Sequence, residues 1–486
     1  MRGLQGLLVL ASFMFTFYGS ADEKAVVDLN DHPETQGAFK VIDAWLQGRQ
    51  TYDRIPGVSF GLVVDQELVF SKGYGRSNLR RKAAPDENTI YSVCSISKLF
   101  TSVATLLLLD QGKLALRDPL KKHLPWFELP QSSDISGPVR LHGMLTHSSG
   151  LPRESDYRYW TGDFPFPDRE QMLERLAEQE MLYRSDSLFQ YSNLGMSLLG
   201  EVVATVSGQP YEQYVQSEIL DPLQLADTRP YFPRDLHGKQ MAVGYSGFGR
   251  DQKRKAVEPF DTKAVAAAAG FTSTVADLAK FASWQFQTLD SEDANNSVLH
   301  PETLREMQRV QWTDPDWETT WGLGFVVNRV GDNTVVGHGG GCPGYITAFL
   351  LVPKMKVAAI ALTNAGDGPA FELASAALQA FGPALAKAKE PKAVENDHLK
   401  EYEGNYAGDV WGGEEAVRVW GEQLAVVRIP SDNLRDVVKL KHVDGDKFVR
   451  LQDGNEREAI TFIRDEDGQV IGMEQHSNVA WKIDES

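Results

Sequence analysis

Close to residue 390 the pattern of this chain changes, and that change limits what it can fold into. Beyond it, short β-type runs follow one another at 402–407, 414–420, 423–429, 436–442, 447–451, 458–464, 468–475 and 479–483. Asp444-Gly445, Asp453-Gly454 and Asp467-Gly468 mark three of the turns between them, because these pairs accept the positive backbone angles of tight hairpins. Eight short antiparallel strands in about 90 residues predict a small all-β unit, a closed barrel or a sandwich, over 398–486. Ala386 to Asp397, rich in Ala, Lys, Glu and Pro, reads as a linker (386–397).

Upstream, over 22–385, helical and hairpin patterns come in blocks. Residues 57–72 read as two β runs around Asp65-Gln66. Helices are expected over Ser95 to Leu109, with Gly112 just beyond, over 169–182 with Met172, Leu173, Leu176 and Met181 on one stripe, and over Tyr191 to Ser207 before Gly208. Val275 to Phe286 reads as a further helix capped by Ser273 or Thr274, and 370–381 as a closing helix stopped by Gly382-Pro383. Two apolar β runs joined at Pro353-Lys354 fill 345–363. Blocks of this kind, without strict strand–helix alternation, predict an α+β fold with an antiparallel sheet.

The first 21 residues read as a targeting segment. Arg2 is followed by the mostly apolar run Leu4 to Phe17, and Gly19-Ser20-Ala21 offers small residues for cleavage before Asp22 and Glu23. A signal peptide over 1–21 implies a secreted or periplasmic protein, and no cysteine lies near the cut for a lipid anchor. No later stretch is long and apolar enough to span a membrane. The chain carries 49 Lys and Arg against 67 Asp and Glu, a net charge of −18, which argues against a nucleic-acid partner. Half of that charge lies in the last 90 residues, with 11 basic and 20 acidic side chains from Asp397 onward. Two cysteines make no disulfide scaffold, and ten scattered histidines give no metal-ligand spacing, so neither metal nor cofactor is expected.

Gly57-Val58-Ser59-Phe60-Gly61 fits the G-x-S-x-G nucleophile elbow, and His338-Gly339-Gly340-Gly341 fits an oxyanion motif of some lipases. Their context disagrees with an α/β-hydrolase. Ser59 sits inside a β run that continues into a hairpin, and the glycine run lies far downstream rather than upstream.

A second constellation is more specific. In Ser95-Ile96-Ser97-Lys98 the two outer residues share a helix face, so the amine can reach the hydroxyl. A serine becomes a nucleophile when a base takes its proton. The apolar run Leu99, Phe100, Val103, Leu106 and Leu107 implies a buried helix, and burial lowers a lysine from its usual ~10.4. Tyr191-Ser192-Asn193 opens another helix; a tyrosinate beside a lysine ammonium is a candidate base, and Asn193 can hold an amide carbonyl or the lysine. The glycines 339–341 let a substrate lie against the strand backbone.

Ser-x-x-Lys, then Tyr-x-Asn about 95 residues later, then His-x-Gly before a closing helix, resembles the serine β-lactamase-like, penicillin-recognising hydrolases. Leu145-Thr146-His147-Ser148-Ser149-Gly150-Leu151-Pro152, Gly270-Phe271-Thr272-Ser273-Thr274 and Gly337 to Gly340 with Pro343-Gly344-Tyr345 extend the resemblance over about 35–385. It implies a β-lactamase-like fold, an antiparallel sheet flanked by helices plus a helical subdomain. The C-terminal barrel is similar to the lipocalin-like domain appended to some members, where it covers the site or helps assembly.

The resemblance also implies roles. Ser95 is the acylated nucleophile, Lys98 and Tyr191 share its proton, Asn193 binds the substrate amide and His338 lines the site. The backbone N–H groups of Ser95 and Gly341 form the oxyanion hole. His147 and Ser149 read as structural. The expected activity is that of an exported serine hydrolase acting on an amide, a peptide (D-amino-acid peptides included) or an ester. A catalytically weak binding or sensor protein on the same scaffold, and a true β-lactamase, are the alternatives. True β-lactamases usually carry a lysine where His338 stands, and a histidine with a reference pKa of ~6.5 supplies little cation at pH 7 for a substrate carboxylate. Tyr157, Tyr159, Trp160, Phe164 and Phe166 either wall the pocket or pack among themselves. Cys94 and Cys342 flank one site in such a fold, as a disulfide or as two buried thiols.

Overall fold

Strands β1 (Gly57–Val64), β9 (Tyr345–Val352) and β10 (Val357–Thr363) are almost wholly apolar because both their faces are covered. In β10, Val357, Ala359 and Ala361 enter one core, whereas Ala358, Ile360 and Leu362 enter another. The period of two thus divides a single sheet between two cores. The computed structural model describes residues 29 and 32–483, apart from 130–136, 177, 293–297, 331–332, 389–395, 409–411, 435–436 and 453–454. The expected signal peptide lies outside the described residues.

Strand β2 (Glu67–Gly75) forms the hairpin with β1. The ribbon of β3 (Tyr91–Ser92) and β4 (Thr272–Ser273) stands apart from the main sheet. Strands β5 (Trp312–Thr313), β6 (Thr320–Trp321), β7 (Val326–Val330) and β8 (Asn333–Cys342) complete the main sheet. Its order is β2-β1-β10-β9-β8-β7-β6-β5, and every pairing is antiparallel. Helix α1 (Pro33–Tyr52) and the closing helix Ala370–Ala388 share a core with one face. On the other face lie α2 (Ser97–Asp110), the helix Val275–Asp290 and the helical block around the helix Asn193–Ser207.

The C-terminal strands are β11 (Gly404–Ala407), β12 (Glu414–Trp420), β13 (Gln423–Ile429), β14 (Val438–Asp444), β15 (Lys447–Gln452), β16 (Asn455–Arg464), β17 (Val470–Gln475) and β18 (Asn478–Ile483). They close into an antiparallel barrel in which β11 pairs with β18. Tyr406, Val417, Leu424, Leu440, Phe448 and Phe462 fill it.

Three local expectations need correction. The closing helix does not stop at Gly382-Pro383 but runs to Ala388, so residues 386–388 are helix rather than linker. A proline inside a helix costs about 3 kcal/mol. Ala384, Leu385 and Ala388, all buried beyond it, offset that cost. The helix expected over 169–182 ends at Leu176. There the chain is drawn away: Gln179 Nε2 donates to the Glu154 carbonyl at 2.9 Å and Leu182 N to the Gly150 carbonyl at 2.9 Å. Met181 is still buried, but from an extended segment. Finally, Ser95 lies in a 3-10 turn, Cys94–Ile96, that precedes α2.

Helix α1 joins the barrel to the rest. Lys40 Nζ lies 2.7 Å from Glu403 Oε1, Trp45 Nε1 donates to the Ser431 carbonyl at 2.9 Å, and Tyr52 donates to Glu414 at 2.9 Å. The helix approaches closely because Gly37 has no side chain: a Cβ there would lie 2.3 Å from Trp420 Cα on β12. On an exposed helix, Gly→Ala raises stability by about 1 kcal/mol. Here the sign reverses. Gly37→Ala is expected to lower the melting temperature by several degrees, because backbone must shift at the interface. A melting temperature at or above that of the unaltered protein refutes this account of the interface.

Candidate active site

The turn that carries Ser95 is tied down on several sides. The β3–β4 ribbon and the Val93 N–H, which donates to the Phe271 carbonyl at 3.0 Å, bring the chain to Cys94. Cys94 adopts a φ of +50°, a left-handed conformation that a non-glycine residue rarely takes. The Ser97 hydroxyl donates to the Cys94 carbonyl and accepts from Phe271 N at 2.9 Å. A disulfide joins Cys94 to Cys342, with Cα atoms 5.8 Å apart. Gly340 completes the fit: a Cβ on it would lie 2.1 Å from the Val93 carbonyl oxygen.

One turn on, Lys98 is completely buried. Its Nζ is 3.2 Å from Ser95 Oγ, 2.7 Å from Asn193 Oδ1 and 2.8 Å from the carbonyl oxygen of Ala268. Burial holds the amine well below the usual lysine range; Glu154 acts against this and Arg153 with it. A neutral amine has two N–H groups and one lone pair. Asn193 Oδ1 and the Ala268 carbonyl can take these N–H groups, and the Ser95 hydroxyl lies at the third contact.

Tyr191 also reaches this hydroxyl, which hydrogen-bonds its own. Its ring lies 4.8 Å from Lys98 Nζ and is stacked at a tilt on His147, 4.4 Å between centroids. Here the sequence expectation of a tyrosinate beside an ammonium fails. Burial raises Tyr191 above the ordinary phenol value and lowers Lys98 below the ordinary lysine value. Both shifts favour a neutral amine on Lys98 and a protonated phenol on Tyr191.

Asn193 stands at the start of its helix, which Ser192 caps by accepting from Gly195 N at 2.8 Å. Its amide spans Lys98 and Glu154, with Nδ2 donating to Glu154 Oε1 at 2.7 Å. It holds the lysine rather than presenting a free amide. His338 lies on β8, buried, with its ring 6.1 Å from that of Tyr191. Burial and the nearby Lys98 push it down to about 3, so it supplies no cation. Strand β8 is paired with β7 up to Gly337 and with β9 through Cys342. The segment His338 to Cys342 therefore has one edge without a strand partner, with Gly339 half-buried and Gly341 exposed. Backbone N–H groups on such an edge are available to an oxyanion.

Several residues at the site were not singled out from sequence. Arg153, mostly exposed, places its guanidinium 4.9 Å from the centre of the Tyr191 ring. Glu154 follows it, and Trp321 of β6 packs edge-on against His147 and His338. Glu154 lies two residues beyond the recognisable run that ends at Pro152, and its charge was the available signal. The Ala268 carbonyl leaves no signal in a side-chain pattern. His147 behaves as a structural residue: its Nδ1 accepts from Ser192 N at 3.1 Å and it braces Tyr191. The aromatic loop packs among itself, one of the two readings its sequence offers. Tyr159 and Phe166 stack at 4.7 Å and Phe166 packs on Phe260, while Tyr159 and Trp160 also donate to Glu154 beside the site.

The family described as Beta-lactamase matches residues 42–382, and a domain of unknown function, DUF3471, matches residues 388–485. The D-alanyl-D-alanine-carboxypeptidase/endopeptidase AmpH of Escherichia coli (strain K12) is 29% identical over 315 residues, 62% of this chain and 78% of that protein. The octameric penicillin-binding protein homologue from Pyrococcus abyssi superimposes with a TM-score of 0.62 at 25% identity, over 91% of this chain and 99% of its own. A D-stereospecific amidohydrolase from Streptomyces sp. shares the fold, with a TM-score of 0.58 at 21% identity over 70% of this chain and 97% of its own.

A buried, neutral lysine has a kinetic signature. Phosphonylation of Ser95 by a fluorophosphonate should climb less than tenfold per pH unit between about 7 and 9, because burial lowers Lys98 from the usual lysine range. An ordinary lysine, at ~10.4, would make the rate climb about tenfold per pH unit there. Rates measured across this range distinguish the two, and a tenfold climb refutes a depressed Lys98.

Proposed function

This chain belongs to the β-lactamase family and is a serine hydrolase, and we propose that it works through an acyl-enzyme formed on Ser95. The observation that carries this reading is the wholly buried Lys98 Nζ, 3.2 Å from Ser95 Oγ and held by two other acceptors. Ser95 Oγ attacks the substrate carbonyl carbon while its proton passes to the Lys98 lone pair. The carbonyl oxygen becomes an oxyanion facing the N–H groups of Ser95 and Gly341. Collapse breaks the bond to the leaving amine or alcohol, which takes a proton from Lys98 by way of the Tyr191 hydroxyl. A water molecule then attacks the acyl-enzyme, giving its proton to the same base, and Ser95 is restored.

The substrate class we propose is an amide, a peptide with D-amino acids among its candidates, or an ester. The named activity of the E. coli relative supports peptides. A neutral His338 weighs against efficient β-lactam hydrolysis, since β8 then offers no fixed cation to a substrate carboxylate. We also place the protein outside the cytoplasm. The leader-like residues 1–21 support this, and so does the Cys94–Cys342 bond, which is at home in an oxidising compartment.

The test is intact-protein mass after incubation with a fluorophosphonate, a penicillin, D-amino-acid amides and activated esters. Wild type should gain the mass of an adduct and Ser95→Ala should gain none. Lys98→Ala should slow adduct formation by about 10²–10⁴-fold, the usual range for loss of a general base. A folded wild type that forms no adduct with any reagent refutes the acyl-enzyme.

A further inference from the structure

Glu154 takes no proton in the steps above, yet its carboxylate lies in contact with the residue that holds the base. Asn193 Nδ2 donates to Glu154 Oε1 at 2.7 Å, and Asn193 Oδ1 accepts from Lys98 Nζ at 2.7 Å. The two ends of an asparagine amide are chemically opposite, the oxygen accepting and the nitrogen donating. Turned end for end, Asn193 would present an NH2 group to an amine that needs an acceptor, and an oxygen to a carboxylate. Asn193 is 5% exposed, so water does not choose between the two orientations. Glu154 does.

Glu154 is itself held in place. Tyr159 donates to Oε2, Trp160 Nε1 donates to Oε1 at 3.3 Å, and Arg153 Nε lies 3.6 Å from Oε1. The Tyr159 ring is anchored in turn by Phe166 and, beyond it, Phe260. The aromatic loop therefore fixes a carboxylate, the carboxylate fixes an amide, and the amide fixes the lysine.

We propose that Glu154 is a positioning residue of this hydrolase, orienting Asn193 so that its oxygen receives Lys98 and the lysine lone pair is left for Ser95. The proposal rests on the reading of Lys98 as the base. Its charge has a second consequence. Lys98 is faced by Ser95, Tyr191, Asn193, His147, His338 and Arg153 as well as by Glu154. Of the charged groups, Glu154 favours the ammonium and Arg153 opposes it. Removing the carboxylate's charge therefore makes Lys98 easier to deprotonate, so the base form persists to lower pH.

Fluorophosphonate labelling of the full chain, measured from pH 4 to 9, tests this without knowledge of the substrate. Glu154→Gln keeps an oxygen that can accept from Asn193 and loses the charge. Its plateau rate should stay within about threefold of wild type, as expected when a charged hydrogen bond becomes a neutral one. Its acid limb should move to lower pH. Glu154→Ala leaves the buried Asn193 amide without its acceptor, and its plateau should fall by about tenfold or more. Should Glu154→Ala fail to fold, the acid limb of Glu154→Gln carries the test. Both variants following the wild-type curve overturn the proposal and leave Ser95 as the nucleophile. A lower plateau with an unmoved acid limb in Glu154→Gln also overturns it, since that is what a merely structural residue would give. A wild type that takes no label refutes the proposed function, and this inference with it.

Discussion

A lysine amine removed from water is the constraint around which this molecule is arranged. Burying an ammonium without partners is costly, and a protein relieves that cost by neutralising the group. Burial holds Lys98 well below the usual lysine range, and its amine is met by Asn193, the Ala268 carbonyl and Ser95. These partners come from three segments far apart in sequence. One is the turn before α2, one the start of the helix Asn193–Ser207, and one the short helix Ala266–Ala269. The same burial lowers Lys98 and raises Tyr191, so a single solvent-excluded site shifts two neighbouring groups in opposite directions.

The turn that carries Ser95 is held by more restraints than its length alone would suggest. A non-glycine residue at φ +50° costs roughly 1–3 kcal/mol and persists when its surroundings over-determine it. Ser97, the Phe271 backbone, Gly340 and Cys342 all act on this one residue or its neighbour. The cross-link also binds the residue before Ser95 to the residue after Gly341. The two backbone positions proposed to receive the oxyanion are thus separated by a fixed distance, and such donors work best when they need not reorganise as charge develops.

Much of this was legible in the sequence, for reasons that can be named. The barrel was legible because a period of two, broken by Asp-Gly turns, leaves few alternatives, and the catalytic motifs were legible because the chemistry demands those side chains at those spacings. Their protonation states were less so: a tyrosinate was the natural guess for Tyr191 until burial on every side was known. Helix ends were misjudged where tertiary contacts override local signals, at Pro383 through the burial of Leu385 and Ala388, and after Leu176 through hydrogen bonds to Gly150 and Glu154. The backbone carbonyl of Ala268 had no side-chain pattern to announce it.

The placement of the barrel bears on what it can do. It packs on α1, and α1 shares its core with the face of the sheet opposite to the one carrying Ser95. Ala416, Trp420, Ala425, Val427 and Ile429 of the barrel belong to that same far-side core. Within one chain, then, the described residues of the barrel pack on the side of the sheet away from Ser95. Its contribution is to the rear wall of the platform. Strands β1, β9 and β10 bury side chains in both cores, so the packing of α1 against the barrel and the packing of α2 beneath Ser95 load the same backbone from opposite sides. In a close-packed interior such strands transmit displacement rather than absorb it. The far-side core is therefore a condition for the position of β8 and its open edge, and through Gly340 for the turn that carries Ser95.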